Sequence, residues 1–336
     1  MDEPAPNLVV VGASAGGVEA LTTLAGGLPA DLDAAVCVVL HLSAVTESRL
    51  AHILSRAGPL PAVQAHGGER LMRGHVYVAP PDGHLMVRDG HVVVGRGAHE
   101  NGLRPSIDVL FRSAALSFGP RTVALVLSGS RDDGVAGASA IGARGGCVLV
   151  QSPDDALFPS MPSQTVSRDH PDRVLPLAEL AAAVTRAVQR LSEEAPMSEN
   201  GGDEMSLETE YATLDADAIE RDGPPGTPSA FGCPTCGGVL WELEDEDLLR
   251  FRCRVGHAFT AEGAVEAQGV SVEEALWVAL RALQERAQLS ERLAARVGNA
   301  GASRSSTRFE AYAREAREQA DVIRRVLAGN GSGSDG

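Results

Sequence analysis

The chain has 336 residues, too many for one ordinary hydrophobic core and enough for a large domain with smaller modules. Its formal charge is −16, but sixteen acidic residues and a single arginine lie between Glu193 and Asp247, so the rest is nearly neutral. All 29 basic residues are arginine, which excludes Schiff-base enzymes, P-loop ATPases and protein kinases, because each of these needs a lysine.

The charge and the apolar runs also restrict partners and location. A strongly acidic segment repels nucleic acid and anionic lipid, so we expect no nucleic-acid partner. The first residues carry no basic region ahead of an apolar run, and no apolar run is long enough to span a bilayer. We therefore expect a cytoplasmic protein without membrane insertion.

The first half of the chain alternates strand-like and helix-like stretches. Apolar strands are predicted at 7–11, 34–40, 75–79, 122–127 and 147–151, and a hairpin at 84–88 and 91–94. Helices are predicted at 18–28, 46–57, 105–117, 134–143 and 177–191. Continuous apolar strands between helices indicate a doubly wound, mostly parallel sheet covered on both faces, a Rossmann-like three-layer α/β fold over residues 1–192.

The second half divides into four segments. Residues 193–230 are acidic and poor in large apolar side chains, which predicts a disordered linker. Residues 231–265 contain a cysteine cluster, and residues 266–329 have the pattern of a helical hairpin. A flexible tail is expected over 330–336.

The turn after the first strand is the first candidate for chemistry. It reads Gly-Ala-Ser-Ala-Gly-Gly over 12–17 and leads directly into a helix. In a parallel sheet, ligands bind at the carboxyl ends of the strands. The turn is compatible with a dinucleotide-binding loop, although Ser14 replaces the middle glycine, with a nucleophilic serine, or with an ordinary tight turn.

Two further residues follow predicted strands at the same edge of the sheet. His41 comes directly after the second strand, and Asp133 comes shortly after the 122–127 strand. Taken singly, His41 is compatible with a capped strand end and Asp133 with a helix N-cap. Together with Ser14 they provide a nucleophile, a base and an orienting carboxylate, and geometry rather than chain order defines such a triad.

At this point the sequence resembles the catalytic domain of the chemotaxis protein-glutamate methylesterases, the CheB family, over about residues 7–190. The resemblance rests on the turn at 12–17, His41, and three further blocks, which are Gly-His-Val-Tyr-Val-Ala-Pro (74–80), Arg-Pro-Ser-Ile-Asp-Val-Leu-Phe (104–111) and Asp-Gly-Val-Ala-Gly (133–137). It implies that Ser14 is the nucleophile, that His41 is the general base and then acid, and that Asp133 orients His41. Asp132, where the family usually has asparagine, is the alternative carboxylate.

The resemblance further implies hydrolysis of γ-glutamyl methyl esters on the helical cytoplasmic region of a chemoreceptor, a signal-transduction role, with receptor glutamine deamidation as a related activity and no cofactor for catalysis. Arg104 is expected either to bind substrate or to cap a strand, and Met161 to line the substrate cleft. Family members regulated by phosphorylation carry a receiver domain ahead of the esterase, and only thirteen residues precede Ser14 here. We therefore expect a stand-alone enzyme that is not regulated by a receiver domain in cis.

The cysteine cluster predicts a second, separate site. The spacing of four residues is that of a tetrahedral zinc site: Cys233 and Cys236 are followed, after sixteen intervening residues, by Cys253 and His257. Such a cysteine cluster also indicates a reducing compartment. Four protein ligands leave no open position, so the predicted zinc is structural. Three unrelated thiols are the alternative.

The helical hairpin has an apolar face that predicts either its own core or a surface for docking or self-association. Two alternative functions also remain open from the sequence. One is an interaction protein that binds the receptor with little or no turnover, and the other is a nucleotide-binding α/β protein that uses the 12–17 loop.

Overall fold

The structure, a computed structural model, describes residues 5–41, 48–169, 171–194, 209–213, 226–245, 248–299 and 303–330. The chain forms two compact units, Met1–Ala264 and Val265–Gly336.

A seven-stranded sheet forms the centre of the first unit, and every neighbouring pair of its strands is parallel. In order across the sheet the strands are β3 (Ala62–Gln64), β4 (Val76–Val78), β2 (Ala35–Leu40), β1 (Leu8–Ala13), β7 (Thr122–Val126), β8 (Cys147–Gln151) and β9 (Arg173–Leu175). β5 (His84–Arg88) and β6 (His91–Gly95) form a separate antiparallel hairpin. The central strands are buried along their whole length, as expected for a parallel sheet covered on both faces.

In the described part of this unit, six helices cover the sheet in two layers. They are α1 (Gly17–Gly27), α2 (Leu50–Ala57), α3 (Ile107–Phe118), α4 (Val135–Ala143), α5 (Ser160–Asp169) and α6 (Leu177–Glu194). Side chains of α1, α2 and α6 pack with Val9 and Val11 of β1 on one face. Side chains of α3, α4 and α5 pack with Leu8 and Val10 on the other. The predicted doubly wound α/β fold is confirmed.

The described part of the predicted linker is ordered where it contacts the sheet domain or a strand partner. Residues 209–213 form a helical turn in which Tyr211 and Ala212 are buried, and the Gly97 N–H donates to Ala212 O at 2.9 Å. Apolar burial and a backbone hydrogen bond offset the ordering cost of these five residues. The rest of that segment, apart from its two ends, lies outside the described residues, as does the tail from 331.

A second sheet follows, which we call the Cys/His sheet. Its four antiparallel strands are β10 (Thr227–Gly232), β11 (Val239–Asp245), β12 (Leu248–Cys253) and β13 (Ala258–Thr260). This sheet belongs to the same compact unit as the α/β domain. Its last strand, β13, bonds to residues 99–101 of the α/β domain, and the zinc module with bounds 231–265 stays a prediction.

The second unit is made by two long helices, α7 (Ala261–Asn299), which begins in the first unit, and α8 (Ser303–Asn330). The Ser306 hydroxyl donates to Ala294 O at 3.0 Å, and Arg317 pairs with Glu291. The buried positions facing each other are mostly alanine. The two helices therefore form the predicted hairpin. Within the described residues, no helix has the length and apolar character needed to cross a membrane.

Candidate functional site

Parallel pairing of β1 and β2 brings Ser14 and His41 side by side. Ala13 and Leu40 are register partners at the ends of the two strands, so the next residues, Ser14 and His41, leave the sheet together. The His41 N–H donates to Ala13 O at 3.1 Å, which continues the ladder by one step. On the other side of β1, the Ser14 N–H donates to Ser128 O at 3.0 Å. Ser14 thus lies between the ends of β2 and β7.

A left-handed glycine lets the chain enter α1 directly after Ser14. Gly16 has φ of 71°, a conformation that residues with a side chain adopt rarely. A Cβ at this position would lie 2.9 Å from Ser128 Oγ, and that hydroxyl donates to Ala15 O at 2.8 Å. Ser14 is therefore held just ahead of the amino-terminal end of a helix, where unpaired N–H groups favour negative charge.

The loop after β7 approaches Ser14 closely, and Met161 lies behind that loop. A Cβ on Gly129 would be 2.9 Å from the Ser14 Cβ and 2.7 Å from the Met161 Cε. Met161 is fully buried in the core, and its place in the substrate cleft stays a prediction. Leu157 and Phe158 are the large apolar side chains exposed beside this loop, at 71% and 41%. Nothing in the sequence indicates which side chains of this segment are exposed.

His41 contacts a buried carboxylate. Its Nε2 lies 2.8 Å from Asp133 Oδ2, with the imidazole 10% exposed and the carboxylate fully buried. The contact occupies Nε2, so Nδ1 is the ring nitrogen left to accept a proton. The neighbouring carboxylate, Asp132, has a different partner: it accepts a hydrogen bond from the Thr260 hydroxyl at 2.5 Å.

Hydrogen-bond donors surround the Asp133 carboxylate. Oδ1 accepts the Ser106 hydroxyl at 2.8 Å, and Oδ2 accepts the Ile107 N–H at 2.6 Å in addition to His41. Burial alone would raise the pKa of Asp133, but the hydrogen bond and charge of His41, followed by the Ile107 N–H and the Ser106 hydroxyl, lower it to about 2. The group is therefore ionised at neutral pH.

Ser106 is in turn held by a buried histidine that the sequence reasoning left without a role. His84 Nδ1 accepts the Ser106 N–H at 3.2 Å, and His84 Nε2 donates to Ala98 O at 3.0 Å. Desolvation by burial lowers the pKa of His84, so it serves as a neutral hydrogen-bonding group. The clue to Ser106 in the sequence was its place in the 104–111 block.

Asp108 fixes the start of the helix that follows Asp133. Its Oδ1 accepts the Gly134 N–H at 3.0 Å and the Gly137 N–H at 2.7 Å, capping α4 from the neighbouring helix α3. Burial, and then the nearby charge of Asp133, raise the pKa of Asp108. This contact ties Asp133 to a rigid element, and the sequence reasoning missed it.

Arg104 is committed to the protein itself. Its Nε and Nη2 donate to Asp82 Oδ1 at 2.8 and 2.6 Å, and its Nη1 donates to Gly97 O at 2.8 Å. The side chain is only 18% exposed. Of the two interpretations from the sequence, this geometry favours the structural brace over the substrate contact.

The Cys/His sheet brings the second predicted set of residues together. The ligand atoms of Cys233, Cys236, Cys253 and His257, here called the Cys/His cluster, all lie within 4.8 Å of one another. The Gly237 N–H donates to Cys233 O at 2.8 Å, forming a tight turn that points the first two thiols to the same side. The four residues can therefore hold one metal ion.

The spacing within the Cys/His cluster agrees with tetrahedral zinc. Cys236 Sγ and Cys253 Sγ are 3.7 Å apart, and Cys253 Sγ and His257 Nδ1 are 3.5 Å apart. Zinc with tetrahedral bonds of about 2.3 Å to sulfur and about 2.0 Å to nitrogen places such atoms about 3.8 and about 3.5 Å apart. The donor set and its dimensions fit this ion.

The thiols of the cluster also show why a cation would be favourable. A hydrogen bond from Cys253 lowers the pKa of Cys233, and the contact with Cys233 together with burial raises the pKa of Cys253. Two thiolates this close repel each other, and a bound divalent cation would remove that repulsion.

Comparison with known proteins finds similarity over the α/β domain. The family model described as CheB methylesterase matches residues 9–184. A protein-glutamate methylesterase/protein-glutamine glutaminase of Myxococcus xanthus is 39% identical over 183 residues, covering 54% of this chain and 52% of the relative. A relative of the same description from Methanosarcina mazei is 36% identical over 191 residues, with the same coverage. The chain thus spans about half the length of these curated relatives.

A solved structure gives the same result for the fold. The crystal structure of the Thermotoga maritima CheB methylesterase catalytic domain matches with a TM-score of 0.52 and 29% identity, covering 54% of this chain and 97% of that domain. The residues matched by the family model include Ser14, His41 and Asp133 and end before the Cys/His cluster.

Proposed function

The chain belongs to the CheB methylesterase family, and on that premise we propose that it is a serine hydrolase that removes methyl esters from glutamyl residues of a protein. The observation that carries the proposal is the contact between His41 and the buried, ionised Asp133 at the sheet edge where Ser14 leaves β1. We propose Ser14 as nucleophile, His41 as base and then acid, and Asp133 as the group that orients His41.

In the proposed reaction, Ser14 Oγ attacks the ester carbonyl while His41 Nδ1 accepts its proton. The amino-terminal end of α1 faces the developing oxyanion, and each such N–H donor is typically worth about 3–4 kcal/mol. Collapse of the tetrahedral intermediate breaks the ester C–O bond, and methanol leaves with the proton from His41. Water, deprotonated by the same imidazole, then hydrolyses the acyl-serine and regenerates the enzyme.

The proposed substrate is the helical cytoplasmic region of a methylated chemoreceptor-type protein, and we place the reaction in the cytoplasm. Deamidation of glutamine in the same region is the same acyl chemistry with ammonia as the leaving group, and both activities appear in the names of the curated relatives. The exposed Leu157 and Phe158 are proposed to contact the apolar part of that helix.

We propose that the Cys/His cluster holds a structural zinc ion. Three thiolates and one imidazole complete a tetrahedral shell, so a bound zinc would stabilise the sheet and would have no position free for a substrate or for water. The catalytic steps above use none of these four residues.

The C-terminal hairpin is proposed as a site for docking or self-association. The first half of α7 exposes an unusual number of large apolar side chains, among them Val265, Val272, Trp277 and Val278. Light scattering coupled to gel filtration tests self-association, and a monomer at all concentrations would exclude it.

The function is tested by methanol release from a methylated receptor fragment. The full chain is compared with Ser14→Ala and with the matched control Ser55→Ala, whose hydroxyl bonds to Ala62 at the amino-terminal edge of the sheet, away from the site. The proposal requires release by wild type and control, and none by Ser14→Ala. Release by Ser14→Ala would refute the nucleophile, and binding of the fragment without any release would favour a receptor-binding protein.

A further inference from the structure

The last strand of the Cys/His sheet is hydrogen-bonded to a loop of the α/β domain at residues 99–101. The Asn101 N–H donates to Ala258 O at 2.8 Å, and the Ala258 N–H donates to His99 O at 3.3 Å. The Thr260 N–H donates to Asn101 Oδ1 at 2.9 Å. β13 therefore fixes both the backbone and the side chain of Asn101.

Asn101 connects this strand to the candidate triad. Its φ of 52° lies in the left-handed region, and the hydrogen bonds from β13 hold it there. The other end of its amide, Nδ2, lies 3.4 Å from Asp133 Oδ1 and 3.4 Å from Asp108 Oδ2. The Asn101 side-chain amide thus accepts a hydrogen bond from the Cys/His sheet through Oδ1 and directs its N–H donors toward the buried carboxylates of Asp133 and Asp108.

Thr260 makes a second connection. Its hydroxyl donates to Asp132 Oδ2 at 2.5 Å, and both residues are buried. Asp132 immediately precedes Asp133 in the turn between β7 and α4, so fixing one carboxylate restrains the backbone that carries the other. The same hydroxyl accepts the Gly263 N–H at 3.0 Å, which orients it toward Asp132.

A buried ion cluster joins the two sheets just beside these contacts. Glu100 pairs with Arg112 of α3 and, at 2.9 Å, with Arg252 of β12, and all three side chains are at most 4% exposed. Arg252 Nη1 also donates at 3.0 Å to Gly256 O, which lies between the last two ligands of the Cys/His cluster. The turn that carries those ligands is therefore linked to the residue that precedes Asn101.

We propose that Asn101 and Thr260 are positioning residues for Asp133, and that metal binding at the Cys/His cluster sets how firmly they hold it. The proposal rests on the esterase function proposed above. When the cluster is loaded, β12 and β13 are fixed, and Asp133 and His41 keep the geometry needed to activate Ser14. Because Asn101 and Thr260 lie behind Asp133, loading changes kcat and leaves KM nearly unchanged.

The first test compares Thr260→Val with Thr260→Ser in the zinc-loaded full chain. Valine keeps the shape and removes the hydroxyl, whereas serine restores it. We expect kcat to fall roughly tenfold for Thr260→Val, as for the loss of one hydrogen bond to a charged group, with KM within about twofold of wild type, and Thr260→Ser to recover most of it. Thr185→Val, which removes a hydroxyl bonded to Ala181 O in α6, is the matched control. Wild-type kcat in Thr260→Val would overturn the proposal.

A spectroscopic readout separates this proposal from the proposed function. The His41 Nε2 proton that is donated to Asp133 gives a far-downfield proton resonance, assigned by its loss in His41→Ala. We expect Thr260→Val to shift or broaden this signal and Thr185→Val to leave it unchanged. An inactive wild type with a Thr260-dependent signal would refute the esterase function alone. If the wild type is active and Thr260→Val leaves both the His41 signal and kcat unchanged, the positioning role alone is refuted.

The metal arm uses chelation followed by elemental analysis for zinc. In wild type, removal of zinc is expected to lower kcat and to weaken the His41 proton signal. In Thr260→Val the same treatment should have a smaller effect on both, because zinc removal and the substitution act through the same contacts. Chelation that unfolds the Cys/His sheet but leaves kcat and the His41 signal unchanged would overturn the link to the metal. Fully additive effects of chelation and Thr260→Val would also contradict it.

Discussion

Replacement of Asp133 by asparagine tests the geometry around His41 with the smallest change in shape. Every partner of this carboxylate is a donor. Oδ2 accepts from the imidazole Nε2–H and the Ile107 N–H, and Oδ1 accepts from the Ser106 hydroxyl, the Asp108 N–H and the Asn101 amide. An asparagine must turn its NH₂ group toward some of these donors. The imidazole can avoid the clash by moving its proton to Nδ1, which removes the lone pair that would accept the proton of Ser14.

The expected loss has two parts. In Ser-His-Asp hydrolases, a histidine held in the wrong tautomer lowers kcat by a factor of about 10⁴, and we expect a loss of this size here. For stability, lowering the pKa of Asp133 from 3.8 to about 2 stabilises the folded state at neutral pH by about 2 kcal/mol, and Asp133→Asn loses this contribution. Because the folded pKa is the lower one, the contribution is present above about pH 4 and disappears as the pH falls toward about 2.

The assay combines methanol release with urea unfolding at several pH values. Asp133→Asn should be nearly inactive, and its deficit in unfolding free energy should shrink as the pH falls from about 4 toward about 2. The matched control is Asp89→Asn, in the β5–β6 turn, where a φ of 50° suits asparagine equally well. A variant that retains activity within tenfold, or a stability deficit that does not shrink as the pH falls from about 4 toward about 2, would refute the reasoning.

Four further substitutions or treatments have defined outcomes. Burial raises the pKa of Asp132, so Asp132→Asn should increase the urea midpoint at pH 7, by an amount that falls as the pH drops toward 4; a decrease at pH 7 would contradict this sign. Gly16→Ala adds a Cβ that meets Ser128 at a position with left-handed backbone geometry. Calorimetry should show a loss of about 1–3 kcal/mol in the free energy of unfolding, and methanol release should fall by more than tenfold. Wild-type values of both would exclude a strained turn. Cys236→Ser should abolish stoichiometric zinc by elemental analysis and lower the thermal midpoint, whereas zinc retained at one per chain would mean different ligands. Phe158→Ala should raise KM severalfold for the receptor fragment but not for a small methyl ester, and equal effects on both would argue against a helix contact.

The central fold could be predicted from the sequence because its strands are continuous apolar runs. Such runs, separated by helical periodicity, have few solutions other than a covered parallel sheet. The elements that were missed lack that signal. β3 and β9 are three-residue edge strands with exposed Val63 and Val174, and α5 contains Pro162 and few apolar residues. Their structure depends on neighbours in space rather than on local pattern.

The triad candidates were predictable because parallel strands end at one edge of the sheet. Ser14, His41 and Asp133 each follow a strand, and the register brings the ends of β1, β2 and β7 side by side. Sequence reasoning could not say that Arg104 would bind Asp82 or that Met161 would be buried. Both depend on the paths of surrounding loops, which no period in the sequence specifies.

The contact between the Cys/His sheet and the site had no signal in the sequence. Asn101 and Thr260 are separated by 158 intervening residues, and each is an ordinary polar residue in its local context. The cysteine spacing predicted the cluster itself, because metal ligands need fixed local geometry. It did not predict which surface the sheet would pack against, since that is set by the buried Glu100–Arg252 pair and by β13.

The central claim, that His41 activates Ser14, is tested most directly by a fluorophosphonate, which reacts with activated serines without needing the natural substrate. Mass spectrometry of the labelled full chain should find one adduct, on the peptide that contains Ser14, and the labelling rate should fall by more than a hundredfold in His41→Ala. An adduct on another residue, or labelling of Ser14 at the same rate without His41, would contradict the account.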